Sequence, residues 1–453
     1  MQNFPVLFLF LSLCVLFCRG YESPNEVVLP LLDPYHSISL PAQIPPADLI
    51  YVIYNTATIL SVDMFNNRTC DFPDILPNTK IKLEILTDDL QPAKTVENVI
   101  YAAEKGYSLL FGMPDPETAV PGATAAGVYD MAVFSTFAPT SRLSDEILYP
   151  TFSRIATSTT EQLKTIRAIL LHYESLAGRG WTDVAIISTI NEYNLNYANS
   201  FIEIAAPEIT IQSYQQFLLE QENLDIELNE IKRSAAHVIL ALVSVDYSEF
   251  IAKADEVGLV GESYVWFTTA AIAVTPRAPD PLMRGTLSAV NYFPSTSYYQ
   301  ECFFEAWRTA DPVRYPFAGL GIDPTTLAYF PFDAVVTLAK ALDVLDKSEM
   351  LGQRISPEAW NAAIRGVSFE GLTGDVSFLP NGDRVGAQSL RYYDVDANIF
   401  LTATIREEQE LIHVQDVVWF SNTTNIPDLD IRPPFNYWSC EDKEMQTDAT
   451  GKK

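Results

Sequence analysis

Apolar and polar positions along this chain alternate between the periods of strands and of helices. Residues 80–86 alternate with the two-residue period of a half-buried strand, whereas residues 95–105 and 161–176 carry apolar residues at helical spacing. Residues 237–243 form a continuous apolar run, as expected for a strand buried on both faces of a parallel sheet. Because strand–helix pairs recur at intervals of roughly 30 residues, the pattern predicts βαβ units.

The pattern restarts near residue 156, which predicts two successive α/β units of similar size and a two-lobed protein. Further helices are predicted at residues 47–66, 119–129, 196–206, 223–234, 246–257, 299–310 and 324–345. Further strands are predicted at residues 108–112, 131–134, 183–188, 208–212 and 264–268. After residue 369 the pattern becomes β, and the Asn-Gly-Asp sequence at residues 381–383 predicts a hairpin turn.

The N-terminus has the pattern of a secretion signal. Residues 4–17 are almost wholly apolar, but about 14 residues are too few to span a bilayer, which needs roughly 20. Gly20 is a small residue at the predicted cleavage site, although no Lys or Arg precedes the apolar run. We therefore expect a signal peptide at residues 1–20 and a secreted or extracellular protein, with a short membrane anchor as the alternative.

The cysteines agree with an oxidising compartment but leave their pairing open. Cys14 and Cys18 would leave with the signal peptide, so Cys70, Cys302 and Cys440 remain. An odd number means that one thiol stays reduced or pairs between chains. Cys440, near the C-terminus, is the candidate for an intermolecular bond, and a reduced thiol is the alternative.

Two further features of the sequence agree with secretion. Asn67 and Asn422 each begin an Asn-X-Thr sequon and are predicted glycosylation sites. Residues 426–453 are predicted to form a polar C-terminal tail, and after the signal no apolar run approaches 18 residues.

Composition argues against several classes of function. The chain has 58 acidic and 29 basic residues, and its net charge of −29 disfavours contact with nucleic acid or anionic lipid. Its four histidines lie far apart in sequence, so no metal site is predicted. The sequence contains no zinc-protease, nucleophile-elbow, phosphate-loop, dinucleotide or CxxC motif. We therefore predict neither catalytic residues nor a cofactor.

Six segments, in order, resemble the receptor family ligand-binding region, which has the type I periplasmic-binding-protein fold. This family includes the extracellular domains of class C G-protein-coupled receptors, such as metabotropic glutamate and GABA type B receptors. The resemblance spans roughly residues 25–425. It rests on residues 75–78 followed by LEILTDD, 142–145 followed by YPTFSRIATST, 180–185 (GWTDVA), 264–266 (YVW), 332–335 followed by TLAKALD, and 371–374 with FLPNGDR.

This resemblance implies an α/β fold with two lobes, each a parallel sheet flanked by helices. It implies that ligand binds in a cleft between the lobes, which closes by a hinge motion. Lobe I would comprise residues 25–155 and 294–368, and lobe II residues 156–293 and 369–425.

In lobe I, the resemblance places ligand-binding hydroxyls just before residue 142. The family's hydroxyl positions fall on Ala138 and Pro139, neither of which has a side-chain donor. Thr136, Thr140 and Ser141 are the candidates to replace them, and a turn-forming role is the alternative for each.

A second lobe I turn, at residues 113–118, carries Asp115 and Glu117 where amino-acid receptors of the family often have serines. Two acids disfavour a ligand carboxylate. They would favour a cation or an amine, unless they only face water, which is the preferred interpretation.

In lobe II, the resemblance gives Tyr193 and Asp246 positions next to ligand. The Tyr193 ring would cover an amine or offer its hydroxyl, and the alternative is a surface loop tyrosine. Asp246 would bind the ligand amine, and the alternative is a helix N-cap. Trp181 and Trp266 are predicted core residues.

Together these features predict the non-enzymatic extracellular ligand-binding domain of a class C-like receptor. It would bind a small amine or amino-acid-like molecule, signal by lobe closure and form a dimer. A membrane connection would come only from a missing or partner transmembrane part. The alternatives are a ligand-less protein-interaction and dimerisation module of the same fold, which the loss of hydroxyls at Ala138 and Pro139 favours, and, less favoured, a secreted acidic hydrolase.

Overall fold

The computed structural model divides the chain into two units. Unit 1 comprises Met1–Glu161 and Asn291–Ala387, and unit 2 comprises Gln162–Val290 and Gln388–Lys453. The chain therefore passes from one unit to the other three times. The described residues are 24–35, 49–70, 72, 74–178, 180–274 and 277–429. The predicted signal peptide and Cys440 lie outside these residues.

Strands and helices alternate through most of the described chain. The strands are β1 (Glu26–Asp33), β2 (Lys80–Thr87), β3 (Leu109–Gly112), β4 (Ala132–Ser135), β5 (Phe152–Arg154), β6 (Asp183–Thr189), β7 (Thr210–Phe217), β8 (Val238–Leu242), β9 (Val265–Thr268), β10 (Leu287–Asn291), β11 (Phe369–Gly371), β12 (Gly374–Phe378), β13 (Arg384–Val385), β14 (Gln388–Asp394), β15 (Ile399–Glu407) and β16 (Glu410–His413). The helices are α1 (Leu49–Asn66), α2 (Pro92–Glu104), α3 (Pro116–Val128), α4 (Thr159–Ala177), α5 (Glu192–Ala205), α6 (Asp225–Arg233), α7 (Tyr247–Glu256), α8 (Ala270–Val274), α9 (Gln300–Thr309), α10 (Tyr329–Lys347) and α11 (Pro357–Arg365), with 3-10 turns at Ser141–Ser144, Pro281–Met283 and Thr326–Ala328.

The predicted α/β fold is confirmed, and each predicted helix and strand between residues 80 and 345 is present with somewhat shifted ends. β7, for example, continues to Phe217 where the sequence pattern predicts an end at residue 212. The pattern does not predict β1, β5, β10, α8 or α11. β1 contains Pro30, which has no N–H to donate and normally argues against a strand inside a sheet.

Unit 1 contains a five-stranded parallel sheet in the order β2-β1-β3-β4-β5. Side chains of alternate strand residues enter two cores, one on each face of the sheet. Phe111 and Phe134 pack on the face covered by α1 and α10. Leu110 and Val133 pack on the opposite face, against α2 and α3.

A smaller antiparallel sheet, β11-β12-β13, also belongs to unit 1. The predicted hairpin turn joins β12 to β13, and the Leu379 N–H donates to the Asp383 carbonyl at 2.8 Å. Gly382 has φ of +88°, and a Cβ there would lie 2.2 Å from the Phe152 carbonyl oxygen, so the turn requires glycine. Residues 369–387 therefore lie in unit 1, whereas the sequence-based boundary assigns them to lobe II.

The residues that follow Gly382 anchor this hairpin in the interior of unit 1. The Asp383 carboxylate pairs with the Arg154 guanidinium at 2.6 Å, and their side chains are 9% and 0% exposed. Arg154 also donates to the carbonyls of Ala138 and Thr140, at 2.6 and 2.7 Å. One buried cation thus connects β5, the segment after β4 and the β12–β13 turn.

Unit 2 contains an eight-stranded sheet in the order β16-β15-β14-β10-β9-β8-β6-β7. The strands from β10 to β7 pair in parallel, and β14, β15 and β16 extend the sheet as antiparallel neighbours. Trp181 packs in the core on one face and Trp266 in the core on the other, so both are core residues as predicted. Leu429 is buried beside Trp181, so residues 426–429 pack on unit 2 although the sequence pattern assigns them to a polar tail.

A disulfide between Cys70 and Cys302 resolves the pairing that the sequence leaves open. Their Cα atoms lie 5.6 Å apart, and 232 residues separate the two cysteines in sequence. The bond joins the segment after α1 to α9 within unit 1. No helix in the described part of the chain has the length and apolar character needed to cross a membrane.

We expect Arg154→Leu to destabilise unit 1 by about 3–5 kcal/mol, because it leaves the Asp383 carboxylate buried without its cation. Urea unfolding followed by tryptophan fluorescence would measure the change. The matched control is Arg233→Leu, which removes a cation that is 71% exposed and should change stability by less than about 0.5 kcal/mol. A double Arg154→Leu/Asp383→Leu variant that loses the full sum of the two single losses would contradict a direct ion pair.

We expect the Cys70→Ser/Cys302→Ser variant to unfold at a temperature several degrees lower than wild type. By chain entropy, closing a loop of 232 residues stabilises the folded state by at most about 5 kcal/mol. Scanning calorimetry would measure the difference, with Cys440→Ser as the control that should leave this bond intact. Equal unfolding temperatures for both variants would show that the bond contributes nothing.

Candidate functional site

The carboxyl ends of the parallel strands in unit 1 form one polar edge, where open α/β sheets bind their ligands. The ends of β1, β3 and β4 lie side by side there. The Met113 N–H donates to the Leu32 carbonyl at 2.6 Å, and the Thr136 N–H donates to the Gly112 carbonyl at 2.9 Å. Residues that immediately follow these three strands therefore share the edge.

The three lobe I candidates follow β4, and the structure gives them different surroundings. Thr136 is 1% exposed, and its hydroxyl has no hydrogen-bond partner among the described protein groups. Thr140 begins a 3-10 turn and accepts from the Arg142 N–H at 3.4 Å, and the Ser141 N–H donates to the Thr159 hydroxyl at 3.1 Å. Thr140 thus has a turn-forming contact, the Ser141 backbone bonds to the start of α4, and the Thr136 hydroxyl has no hydrogen bond among the described residues.

Ala138 and Pro139, at the positions where the resemblance predicts hydroxyl residues, shape the same segment through their backbone. The Ala138 carbonyl accepts from Arg154, and the Pro139 carbonyl accepts from the Thr159 N–H at 2.7 Å. Both carbonyls are therefore engaged inside unit 1.

The acidic turn after β3 has a structural explanation. The Asp115 carboxylate caps α3 by accepting from the N–H groups of Glu117 and Thr118, each at 3.0 Å. It also accepts from the Tyr51 hydroxyl at 2.7 Å, whereas Glu117 is exposed. Helix capping thus accounts for one of the two acids.

Asp33, at the end of β1, is a buried carboxylate on this edge that the sequence pattern does not reveal. It is 1% exposed, and neither of its oxygens has a protein hydrogen bond of ordinary geometry among the described residues. Since alternate residues of a strand share a face, Asp33 lies on the face of Leu29 and Leu31, which α1 covers. Thr136 lies on the same face, two residues beyond Phe134 of β4.

Burial raises the pKa of the Asp33 carboxyl well above its ordinary value, and the neighbouring carboxylate of Asp88 raises it further. The backbone N–H of Tyr35 and the Asn55 amide oppose this shift only in part. Burial and the nearby Asp33 also raise the pKa of the Tyr54 hydroxyl, which lacks a hydrogen-bond partner among the described residues. Among the described residues, the groups acting on Asp33 therefore include a second carboxylate and no cation.

The carboxyl edge of the unit 2 sheet is polar too, and some of its groups bond to one another, whereas the hydroxyls of Thr268 and Tyr247 lack a hydrogen bond of ordinary geometry in the described part of the chain. The Asn194 amide donates to the hydroxyls of Thr189 and Ser244 at 2.5 and 2.8 Å, which connects the end of β6 to the residue after Val243. Asn191 caps α5 by accepting from the Asn194 N–H at 2.8 Å. The sequence gives no sign of this network beyond the Asn residues that follow a strand.

Tyr193 and Asp246 follow β6 and β8, which are neighbours in the unit 2 sheet. Tyr193 is half-buried on α5 and packs edge-on against Tyr197, with ring centroids 6.1 Å apart. Asp246 is exposed and caps α7, accepting from the N–H groups of Ser248 and Glu249 at 2.9 and 3.1 Å. The N-cap role is therefore present, and ligand contact for both residues stays a prediction.

The predicted site residues thus fall into two groups, with Thr136, Thr140 and Ser141 in unit 1 and Tyr193 and Asp246 in unit 2. The sequon residues Asn67 and Asn422 are both exposed, and their glycosylation stays a prediction.

Comparison with known proteins assigns the chain to a family. Residues 54–390 match the family described as receptor family ligand binding region. The chain is similar to a protein named Glutamate receptor 2.1 from Arabidopsis thaliana, with 21% identity over 337 residues. This alignment covers 64% of the chain and 35% of the relative, so the chain spans about a third of that relative's length.

We expect Asp33→Asn to raise the unfolding temperature of ligand-free protein at neutral pH, or at least not to lower it. The pKa of Asp33 is higher in the folded protein than its ordinary value of 3.8, so the ionised carboxyl costs stability above the folded pKa. That cost disappears as pH falls toward about 4, so the difference between variant and wild type should narrow there.

Calorimetry of both proteins between about pH 7 and pH 4 would test this expectation. The described groups that act on Asp33 are the Asp88 carboxylate, the Tyr54 hydroxyl, the Tyr35 N–H and the Asn55 amide. The matched control is Asp130→Asn, because Asp130 is exposed and has a φ of 54° that asparagine also adopts. A lower unfolding temperature for Asp33→Asn at pH 7 would mean that a donor already holds the ionised carboxylate.

Proposed function

We propose a ligand-binding function from one premise, that this chain belongs to the receptor family ligand binding region. The chain is the extracellular part of a receptor, or a secreted relative of one, and it binds a small amine or amino-acid-like molecule. It acts by binding and not by catalysis. The observation that carries this proposal is the polar carboxyl edge of unit 1, where the buried hydroxyl of Thr136 has no partner among the described protein groups.

The electrostatics of the protein support a ligand that carries positive charge. The net charge of −29 favours cations near the surface, although this attraction reaches only about 8 Å in physiological salt. At shorter range, the pKa of Asp33 is raised by burial and by Asp88, so a cation beside this pair would stabilise both carboxylates. A ligand amine meets this requirement better than a ligand carboxylate.

An extracellular location agrees with several observations. The predicted signal peptide at residues 1–20, the Cys70–Cys302 disulfide and the exposed sequon residues each fit an oxidising, glycosylating compartment. Signalling by closure of two lobes and dimerisation through lobe I remain expectations from the class C resemblance. If closure occurs, small-angle scattering should record a smaller radius of gyration when ligand is added.

A second function keeps the same fold without a small-molecule ligand. The engaged carbonyls of Ala138 and Pro139, at positions where the family has ligand-binding hydroxyls, favour a protein-interaction and dimerisation module. Such a module would form a constant oligomer whose stability does not respond to small molecules. Sedimentation in the presence and absence of candidate ligands would distinguish the two functions.

We expect thermal unfolding of the secreted protein to respond to a ligand within a panel of amino acids, amines and nucleosides. A ligand at 100 times its Kd stabilises the folded state by about 2.7 kcal/mol, which should raise the unfolding temperature by several degrees. Thr136→Val removes the hydroxyl without a partner, and Asp246→Asn removes a charge while keeping the α7 cap, so both should reduce the shift.

The matched controls are Thr124→Val on the exposed side of α3 and Asp311→Asn, which caps an exposed turn in unit 1. Neither lies at the carboxyl edge of a sheet, so both should retain the full ligand response. A flat panel with well-folded wild-type protein would contradict the small-molecule function and favour the interaction module.

A further inference from the structure

Three buried polar side chains at the carboxyl edge of unit 1 lack a hydrogen bond of ordinary geometry within the described chain. Neither oxygen of Asp33 has such a bond among the described residues, although the Tyr35 N–H and the Asn55 amide act on this carboxylate. The Tyr54 and Thr136 hydroxyls have none either, and each of the three residues is about 1% exposed. Buried polar groups normally have partners, because an unpaired group costs about 1–3 kcal/mol. Three such groups on one face point to a binding function at this place.

The arrangement of these groups is fixed by secondary structure within unit 1. Asp33 is the last residue of β1, and Thr136 directly follows β4. In the sheet, β3 lies between these two strands. Tyr54 reaches this edge from α1, where its ring packs against Phe137 at a centroid distance of 5.5 Å. Its hydroxyl interacts electrostatically with Asp33, so Tyr54 is close both to the carboxylate and to the segment that contains Thr136.

The charges around this region are negative. Asp88 acts on Asp33, and Asp115 acts on Asp88, so three carboxylates follow the ends of β2, β1 and β3. Asp88 and Asp115 have donors of their own in Thr95 and Tyr51, at 2.7 Å each. The described residues that act on Asp33 therefore supply no cation.

We propose that the carboxyl edge of unit 1 binds the ammonium group of the ligand, with Asp33 as its ion-pair partner and the oxygens of Tyr54 and Thr136 beside it. This inference rests on the proposed function and adds the ligand group and the residues that recognise it. An ammonium has three donors and no acceptor, which matches a carboxylate and two hydroxyl oxygens. The ion pair also offsets the burial of the Asp33 carboxylate, since charged hydrogen bonds are the strong ones.

Two other ligand groups fit this region less well. A ligand carboxylate would be repelled by Asp33 and Asp88. A divalent metal usually needs more carboxylate or imidazole ligands than Asp33 alone, and the described residues contain no group of three or more His, Cys, Asp or Glu side chains that could hold a metal. An ammonium group requires only one anion and neutral oxygens.

The test uses the secreted full chain and probes that differ by one amino group. Methylammonium chloride is compared with sodium chloride at equal ionic strength, and γ-aminobutyrate, glutamate and tyramine are compared with butyrate, glutarate and 4-ethylphenol. We expect methylammonium and at least one of the three amines to raise the unfolding temperature, and the amine-free partners to have no effect. Asp33→Asn should raise the Kd of that amine at least tenfold, because it removes a hydrogen bond to a charged group. Titration calorimetry would measure the Kd.

Variants separate recognition from folding. Tyr54→Phe and Thr136→Val remove one oxygen each and should weaken amine binding less than Asp33→Asn does. Asp130→Asn, an exposed change in the same unit, should leave binding unchanged. Because Asp33→Asn is expected to keep or raise stability, a loss of amine binding in that variant cannot be attributed to unfolding.

Each outcome decides the inference. Amine binding that Asp33→Asn leaves intact overturns the inference and leaves the proposed function standing, as does equal binding of an amine-free partner. A rise in unfolding temperature with sodium or calcium chloride that matches methylammonium overturns the ammonium assignment in favour of a metal. No response to any probe overturns the inference and contradicts the proposed function as well.

Discussion

The buried ion pair between Asp383 and Arg154 determines how the binding segment of unit 1 is built. Arg154 is the last residue of β5, and its guanidinium reaches the carbonyls of Ala138 and Thr140 in addition to Asp383. A buried guanidinium is tolerated only when its donors are satisfied, so the segment after β4 must curve around it. The path of the segment that contains Thr136 is thus a consequence of satisfying one buried cation.

A second buried network explains why the chain resembles its family in particular motifs. The Asp333 carboxylate accepts from the N–H groups of Leu372 and Thr373, at 2.8 Å each, and a Cβ at Gly371 would lie 2.4 Å from that carboxylate. Arg384 donates to the Thr373 carbonyl at 2.8 Å. These residues, with Arg154 and Asp383, belong to three of the six segments that carry the resemblance. The resemblance therefore records how unit 1 folds, and it carries little information about the ligand.

That distinction accounts for what the sequence could predict. Hydrophobic periodicity locates elements that bury a face, so α4 and β8 are evident, and the Gly382 turn follows from its local chemistry. β1 is not predicted from the sequence because Pro30 interrupts its strand pattern. The assignment of residues 369–387 to unit 1 depends on Asp333 and Arg154, which lie far away in sequence.

The candidate site was less predictable for a physical reason. In a chain with 58 acidic residues, Asp33 looks like a surface charge, and only the strand register and the cover of α1 make it buried. Thr136 could be found because it follows a strand beside a recognisable motif. From the sequence, Asp246 could be either a ligand contact or a helix N-cap, and the structure shows the N-cap.

The polar cluster around Asn194 in unit 2 and the buried groups around Asp33 in unit 1 differ in how their hydrogen bonds are satisfied, and this difference bears on binding. At the unit 2 edge, Thr189, Asn194 and Ser244 bond to one another, so a ligand there would have to compete with existing hydrogen bonds. At the unit 1 edge, Asp33 and Thr136 are already desolvated and have no hydrogen bond of ordinary geometry among the described residues, so the free-energy cost of burying them arises during folding. A ligand that pairs with Asp33 and Thr136 does not have to desolvate them on binding. The site therefore gains binding affinity, and the ligand-free protein is less stable for it. Unit 1 is accordingly the part of the chain in which we expect ligand identity to be determined.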